Sequence, residues 1–214
     1  MKLYGYFRSS ASYRIRIALN LKGLEVGMVP VNLIYNEHRS PEFLQMNPQG
    51  LVPALQTDQG AVLSQSLAIM EYLDERYPEN PLLPQNLEER ARVRALAQAI
   101  ACEMAPLGNL RVLKYLTDSF AFSEDKKQQW IRHWVATGFE AVEALLANSP
   151  YTGKFCHGDT PGMGDACLVP QVFNAKRFEC DLTPYSTIRR IVAACEEVPA
   201  FDKAHPTRQP DAQS

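Results

Sequence analysis

The sequence predicts a small α/β domain followed by a larger all-helical domain, and three observations support this fold class. Short strand patterns alternate with helical patterns up to about residue 77. Residues 78–84 then contain three prolines, which cannot continue a helix and which make a stiff connector. Every element after this connector has helical periodicity. We therefore expect domains at residues 1–80 and 85–214, with a linker at 81–84.

The elements of the first domain follow the order strand, helix, strand, helical turn, strand, strand and helix. The first helix is predicted because apolar residues from Ala11 to Leu19 recur at the spacing of one helix face. Asp58-Gln59-Gly60 predicts a hairpin turn between two strands. This order implies a mixed sheet with helices packed on it. The predicted strands are 2–7, 26–33, 53–57 and 61–63, and the predicted helices are 10–22, 41–46 and 66–77.

The second domain is predicted to contain four helices. Pro106 and Gly108 should bend or interrupt the first of them. The tail at 206–214 is polar, and we expect it to be loose. The predicted helices are 87–115, 124–147, 165–178 and 185–197.

Composition and charge narrow the classes of function. The 214 residues carry a net charge of −2 without a basic stripe, which argues against a nucleic-acid partner. No apolar run approaches the roughly 18 residues of a membrane span, and the N-terminus has no secretory pattern, so we expect a soluble, cytoplasmic protein. The five cysteines include no C-x-x-C pair and the histidines no i, i+4 pair, so we predict reduced thiols and no metal site.

The first candidate site is the serine turn before the first helix. Ser9 and Ser10 stand where a strand turns into a helix, so unpaired N–H groups and the positive end of the helix dipole converge there. Such a place can stabilise a thiolate or another small anion. The alternative is that one of the serines only caps the helix.

Two further stretches carry candidate binding groups. Pro53 opens a strand, and a cis bond between Val52 and Pro53 would turn the N–H and C=O of Val52 outward, towards a peptide ligand. An ordinary trans proline is the alternative. Gln65 and Ser66 stand at a hairpin-to-helix junction, where an amide, a hydroxyl and free helix N–H groups suit a carboxylate. A simple N-cap at Ser66 is the alternative there.

Together these three stretches resemble the glutathione-binding half of glutathione transferases, which is a thioredoxin-like domain. The run S-S-x-S-x-R-x-R-I-A-L, residues 9–19, points to the zeta class. Further motifs of that class lie at 106–113, 167–171, 181–185 and 205–211, so the resemblance covers nearly all of the chain. It implies a glutathione transferase fold, with a mixed-sheet thioredoxin-like domain followed by an all-α domain, and it implies a homodimer.

The resemblance also implies roles around the glutathione sulfur. Ser9 and Ser10 would hold and polarise the sulfur as catalytic residues, and Ser12 and Arg14 would line the same turn. Zeta-class members usually carry a cysteine after the paired serines, whereas this chain has Ala11.

The rest of glutathione is assigned by the same resemblance. Val52 would pair with the cysteinyl backbone, and Gln65 and Ser66 would take the γ-glutamyl end. His38 lies in a loop where the family places a polar group near the glycine end. Asn109, from the helical domain, is expected to contact glutathione as well as the acceptor.

The acceptor substrate would be held largely by residues of the second domain. Asn109, Leu110 and Arg111 are expected to face the cleft of the family's fold, and Arg8 and Arg177 stand beside matched motifs, where a guanidinium suits a dianionic substrate. The implied reaction is glutathione-dependent cis–trans isomerisation of maleylacetoacetate to fumarylacetoacetate, as in tyrosine breakdown. Maleylpyruvate, from gentisate breakdown, is the nearest alternative substrate.

Two other functions stay open at this point. A general zeta-like transferase would conjugate glutathione to α-halo acids or other electrophiles, and Ala11 is compatible with it. A non-catalytic interaction protein would use the fold only for dimerisation. Such proteins commonly lose the serine turn or the Gln-Ser pair, and this chain retains both, which favours an enzyme.

Overall fold

The computed structural model describes residues 1–213. It divides into two compact units, one formed by residues 1–83 with the segment that begins at Glu196, and the other by residues 84–195. In chain order the strands are β1 (Lys2–Gly5), β2 (Gly27–Pro30), β3 (Ala54–Gln56) and β4 (Val62–Ser64). The helices are α1 (Ser10–Leu21), α2 (Pro41–Met46), α3 (Ser66–Arg76), α4 (Leu87–Gln98), α5 (Leu110–Phe120), α6 (Glu124–Ala147), α7 (Met163–Arg177), α8 (Ser186–Glu196) and α9 (Pro199–Ala204).

The first unit contains a four-stranded sheet in the order β2-β1-β3-β4. β1 pairs with β2 in parallel and with β3 antiparallel, and β3 pairs antiparallel with β4. The predicted mixed sheet is therefore confirmed, although each strand is shorter than its apolar pattern or is shifted by one residue. The fully buried residues Leu3 and Leu55 face each other in the β1–β3 register and form the centre of the core.

Helices α1 and α3 run in the same direction, and two contacts fix this arrangement. The Nη1 atom of Arg14 donates to Ser66 Oγ at 3.2 Å, and the Nζ atom of Lys22 donates to Asp74 Oδ1 at 3.1 Å. The second contact lies eight residues, or about 12 Å, further along α1 than the first, and it also lies eight residues further along α3. The two helix N-termini therefore lie at the same end of the unit.

The C-terminal segment (residues 196–213) packs in the first unit, which corrects two predictions. It does not belong to an 85–214 helical domain, because α9 packs on α1 and the buried Arg16 guanidinium donates from Nε to the Ala204 carbonyl at 2.9 Å. It is not loose either, because it forms 3₁₀ turns at Pro206–Arg208 and Pro210–Gln213 and buries Gln209. Ser214, the last residue of that predicted tail, lies outside the described residues.

The second unit is helical, as predicted, and the interruption of its first helix is confirmed. After α4 the backbone widens into a π-helical turn at Ala99–Met104 and tightens into a 3₁₀ turn at Ala105–Gly108 before α5 begins. Helix α7 is the most buried element, and the Asp165 carboxylate accepts N–H groups from Cys156 and Gly162 at its N-terminus, each at 2.9 Å. None of the helices within residues 1–213 combines the length and apolar character that a membrane span requires.

Candidate functional site

Ser9 is both the cap of α1 and a candidate hydrogen-bond donor. A β-turn from Tyr6 to Ser9 is closed by the Ser9 N–H, which donates to the Tyr6 carbonyl at 3.0 Å. Ser9 Oγ then accepts the N–H of Ser12 at 3.2 Å, which is the bond of an N-cap. This bond occupies a lone pair of the hydroxyl and leaves its proton available. The capping and anion-binding interpretations are therefore compatible at this residue.

The groups that follow Ser9 supply further donors. Ser10 is the first residue of α1 and lies half-buried. Across residues 1–213, the N–H groups of Ser10 and Ala11 and the Ser10 hydroxyl hydrogen-bond to no protein group. They point out of the first turn of the helix, where the helix dipole is positive. The serine turn thus offers several unpaired donors to one small anion.

Ser12 and Arg14, predicted to line the same turn as Ser9 and Ser10, support that turn from inside the protein. Ser12 is 0% exposed, and its Oγ accepts the Tyr6 N–H at 3.4 Å. Arg14 is 3% exposed and reaches across to Ser66. Ser66 is itself buried, so its hydroxyl joins the two helix N-termini and does not face solvent.

Gln65 has an unusual backbone conformation at the start of α3. Its φ of 68° and ψ of 117° lie in a region that side chains other than glycine rarely adopt. No side chain caps α3, and among the described residues the N–H groups of Ser66, Leu67 and Ala68 have no partner. Backbone strain of this kind costs about 1–3 kcal/mol and is concentrated at ligand-binding sites. The uncapped helix end is suited to a carboxylate.

Gln49 belongs to the same site, although the sequence did not single it out. The Gln65 side chain donates from Nε2 to Gln49 Oε1 at 2.9 Å, which ties the N-terminus of α3 to the loop before β3. The only signal in the sequence was the place of Gln49 in the N-P-Q-G run before Val52.

The loop at Val52 completes the candidate site in the first unit. The Val52–Pro53 peptide bond is cis, as predicted. Within the described part of the chain, neither the N–H nor the C=O of Val52 has a hydrogen-bond partner, which leaves one donor and one acceptor for a peptide ligand. His38 lies beside this loop, because its carbonyl oxygen is 3.0 Å from the position of a β-carbon built on Gly50.

Arg8 supplies the positive charge nearest the serine turn in the chain. Its Nη2 donates to the Tyr6 hydroxyl at 3.2 Å, and its guanidinium lies 5.3 Å from the centre of the Phe7 ring. These contacts hold an exposed cation beside the turn, where it favours an anionic ligand.

The remaining predicted residues lie in the second unit. Asn109 caps α5, since its Oδ1 accepts the Arg111 N–H at 3.2 Å, and the Leu110 and Arg111 side chains are exposed. Arg177 ends α7, where it contacts Asn174 and the Phe178 ring. The exposed guanidiniums could bind carboxylates, but the structure places them on separate helices.

Comparisons with known proteins agree with this geometry. Residues 1–75 match the family model described as the N-terminal domain of glutathione S-transferases. The chain is 48% identical over 213 residues to the maleylacetoacetate isomerase of Pseudomonas aeruginosa, covering 99% of this chain and 98% of that protein.

Two solved structures are similar over almost their full length. One is described as the holo structure of maleylpyruvate isomerase, a bacterial zeta-class glutathione S-transferase, and matches with a TM-score of 0.96 and 48% identity, covering 99% of both chains. The other is a maleylacetoacetate isomerase from Methylobacterium extorquens AM1 with bound malonate and glutathione, with a TM-score of 0.95, 40% identity and 98% coverage of both chains.

The strained backbone at Gln65 leads to a prediction with opposite signs for stability and binding. Gln65→Gly and Gln65→Ala both remove the side-chain amide, but only glycine relieves the backbone strain of about 1–3 kcal/mol. Glycine also costs about 0.5–1 kcal/mol, because it gives the unfolded chain more conformational entropy to lose. We expect the glycine variant to be about 1 kcal/mol more stable than the alanine variant in urea unfolding. It should nevertheless bind glutathione more weakly by calorimetry, because its backbone no longer holds the α3 N–H groups in place.

The control is Ala68→Gly, which introduces glycine two residues into the same helix without relieving any strain. It should destabilise the protein by about 0.5–1 kcal/mol. Equal stability of the two Gln65 variants would show that the positive φ is not strained.

Proposed function

The chain belongs to the zeta class of the glutathione transferases, and on that premise we propose that it is a glutathione-dependent cis–trans isomerase of a maleyl diketo acid. The proposed substrate is maleylacetoacetate, which becomes fumarylacetoacetate, and maleylpyruvate is the alternative. One observation carries the proposal. The parallel helices α1 and α3 present their unpaired N-terminal donors at the same end of the unit, beside the serine turn.

The residues of the first unit fit glutathione. The unpaired N–H and C=O of Val52 match the backbone of its cysteinyl residue. The uncapped end of α3, with the Gln65 amide, matches the carboxylate of its γ-glutamyl end. His38 is proposed to contact the glycine end, which lies beyond the cysteinyl residue in the tripeptide.

The protein's part in the reaction is to hold and polarise a sulfur anion. When bound, glutathione supplies a thiolate that can add reversibly to the conjugated cis double bond, which permits rotation before the thiolate leaves. The Ser9 hydroxyl would donate its proton in a hydrogen bond to this sulfur, with Ser10 in support. Donation by a hydroxyl and by a helix N-terminus stabilises the charged form of a thiol and so lowers its pKa.

The acceptor's two carboxylates need cations and a shaped surface. We propose Arg8, Arg111 and Arg177 as the cations, because each is exposed and each guanidinium can bind a carboxylate through two parallel hydrogen bonds. Asn109 and Leu110 would contribute polar and apolar contacts from the start of α5. We place the enzyme in the cytoplasm.

Removing the Ser9 hydroxyl should reduce turnover more than binding. Loss of one donor to a developing anion typically lowers kcat about 10²–10³-fold, so Ser9→Ala should show a loss of this size while the Kd of glutathione changes only a few-fold. Steady-state isomerase assays and calorimetry measure the two quantities. Unchanged kcat at neutral pH would remove Ser9 from this role.

Because Ser9 also caps α1, the alanine variant needs a control for stability. Loss of the cap costs about 0.5–2 kcal/mol, whereas aspartate is as good an N-cap as serine. Ser9→Asp should therefore keep the unfolding midpoint, but it places a carboxylate where the sulfur anion would lie and should also lose turnover. If Ser9→Asp were fully active, the effect of Ser9→Ala would be one of stability alone.

An assay with both maleyl acids tests the proposed function. We expect isomerisation of maleylacetoacetate or, as the alternative substrate, of maleylpyruvate. The reaction should require glutathione and leave it unconsumed after many turnovers. The free thiol is counted before and after the reaction. Consumption of one glutathione for each acceptor would identify a conjugating transferase. A protein that neither binds glutathione nor isomerises either acid would be an interaction module.

We also propose that the protein is a homodimer, as the family resemblance implies. The chain has a mass of 24.1 kDa, so light scattering at micromolar concentration should give about twice this value. A single species of the monomer mass would contradict the proposal.

A further inference from the structure

The backbone of Phe7 is held at both its N–H and its C=O, one of them by a residue at the opposite end of the chain. Its N–H donates to Asp211 Oδ2 at 2.9 Å, across 204 residues of chain. Its C=O accepts from Arg16 Nη2, also at 2.9 Å. Phe7 is the second residue of the Tyr6–Ser9 turn, so both bonds act on the turn that carries Ser9.

Arg16 connects the turn to the C-terminal segment. Its side chain is buried, and besides Phe7 it donates to the Ala204 carbonyl. Burial lowers the pKa of Arg16 to about 10, while attraction by Asp211 opposes this shift. Arg16 and Asp211 are thus an oppositely charged pair that contacts the two ends of the same residue.

The C-terminal segment is anchored by several contacts close to Asp211. Gln209 is buried, and its Nε2 donates to the carbonyls of Lys203 and His205 at 3.1 and 3.0 Å. The His205 ring packs edge-on against the ring of Tyr13 at 6.0 Å. These contacts fold the segment before residue 211 onto α1, so the Asp211 carboxylate has a defined position.

Phe7 is only two residues from Ser9, so the position of its backbone affects the Ser9 hydroxyl. A shift of the Phe7 backbone moves Arg8 and changes the direction of the Ser9 hydroxyl, because Phe7, Arg8 and Ser9 are consecutive residues of one turn. Misplacement of a catalytic group by about 1 Å can cost on the order of 100-fold in rate. Asp211 accepts the Phe7 N–H, whereas the Ser9 hydroxyl oxygen accepts the Ser12 N–H, so the effect argued for Asp211 passes through the backbone of the turn.

We propose that Asp211 is a positioning residue for the isomerase reaction, which aims the Ser9 hydroxyl by holding the Phe7 peptide from the C-terminal segment. This inference rests on the proposed function, and it extends the site to a residue at the opposite end of the chain.

The test compares Asp211→Ala, Asp211→Asn and the matched control Asp202→Ala. Asp202 lies in the same segment and forms an exposed ion pair with Arg208 at 3.3 Å, and within residues 1–213 its side chain makes no hydrogen bond to the turn. Asp211→Ala should lower kcat at least ten-fold while the KM for glutathione changes less than three-fold. It should also move the acidic limb of the kcat/KM profile to higher pH, because a misaligned hydroxyl stabilises the thiolate less.

Asp211→Asn separates this role from a general effect on folding. The asparagine keeps an oxygen that can accept the Phe7 N–H, so it should recover most of kcat although it loses the charge opposite Arg16. Asp202→Ala should match the wild type in kcat and in the pH profile. Urea unfolding of all four proteins reports stability independently of rate.

Three outcomes decide the inference. The inference is supported if Asp211→Ala has a lower kcat and a kcat/KM profile shifted to higher pH, and if Asp211→Asn has most of the wild-type kcat. An active wild type in which Asp211→Ala keeps the wild-type kcat, or loses activity only in proportion to its unfolded fraction, overturns it while the proposed function stands. A wild type without isomerase activity overturns the proposed function, and the positioning role fails with it.

Discussion

The buried ion pair between Lys22 and Asp74 is the constraint on which the arrangement of the site depends. The Nζ of Lys22 donates to Asp74 Oδ1 and to the carbonyls of Glu79 and Asn80, so three protons meet three acceptors, and Asp74 Oδ1 also accepts the Leu82 N–H at 2.6 Å. Removing one partner of such a pair typically costs about 3–5 kcal/mol, since a buried charge is left alone. The pair fixes the C-terminal ends of α1 and α3 relative to each other. Consequently the N-terminal ends, joined by the contact between Arg14 and Ser66, are fixed as well.

The two ends of the α1–α3 pair differ in their hydrogen bonding. At the Lys22 end all three ammonium protons have a partner, whereas at the serine turn and at the start of α3 several N–H groups have none within the described residues. Gln65 adds a backbone strain of about 1–3 kcal/mol at the same end. Unpaired donors and strain lower stability unless a ligand satisfies them. These unsatisfied groups of the first unit lie where glutathione is proposed to bind.

The features that could be predicted best from the sequence are those set by local signals such as helix caps and apolar periodicity. Helices Pro41–Met46 and Glu124–Ala147 have their predicted bounds, because Ser40 and Ser123 are strong N-caps and the apolar period is clear. The C-terminal segment was misjudged because its order comes from contacts with α1, nearly 190 residues away in the case of Arg16 and Ala204. The burial of Ser12 and Arg14 was missed for a similar reason, since a polar residue in a helix is ordinarily placed outside until its tertiary partner is known.

The two arginines of α1 show how a family motif follows from helix geometry. Arg14 and Arg16 are two residues apart, and at about 100° for each residue their side chains leave the helix in nearly opposite directions. Arg14 accordingly reaches α3 at Ser66, whereas Arg16 reaches the C-terminal segment and the Phe7 carbonyl. One side of α1 is thus joined to the helix that presents Gln65, and the other to the turn that presents Ser9. The R-x-R spacing therefore links both halves of the proposed glutathione site through a single buried helix.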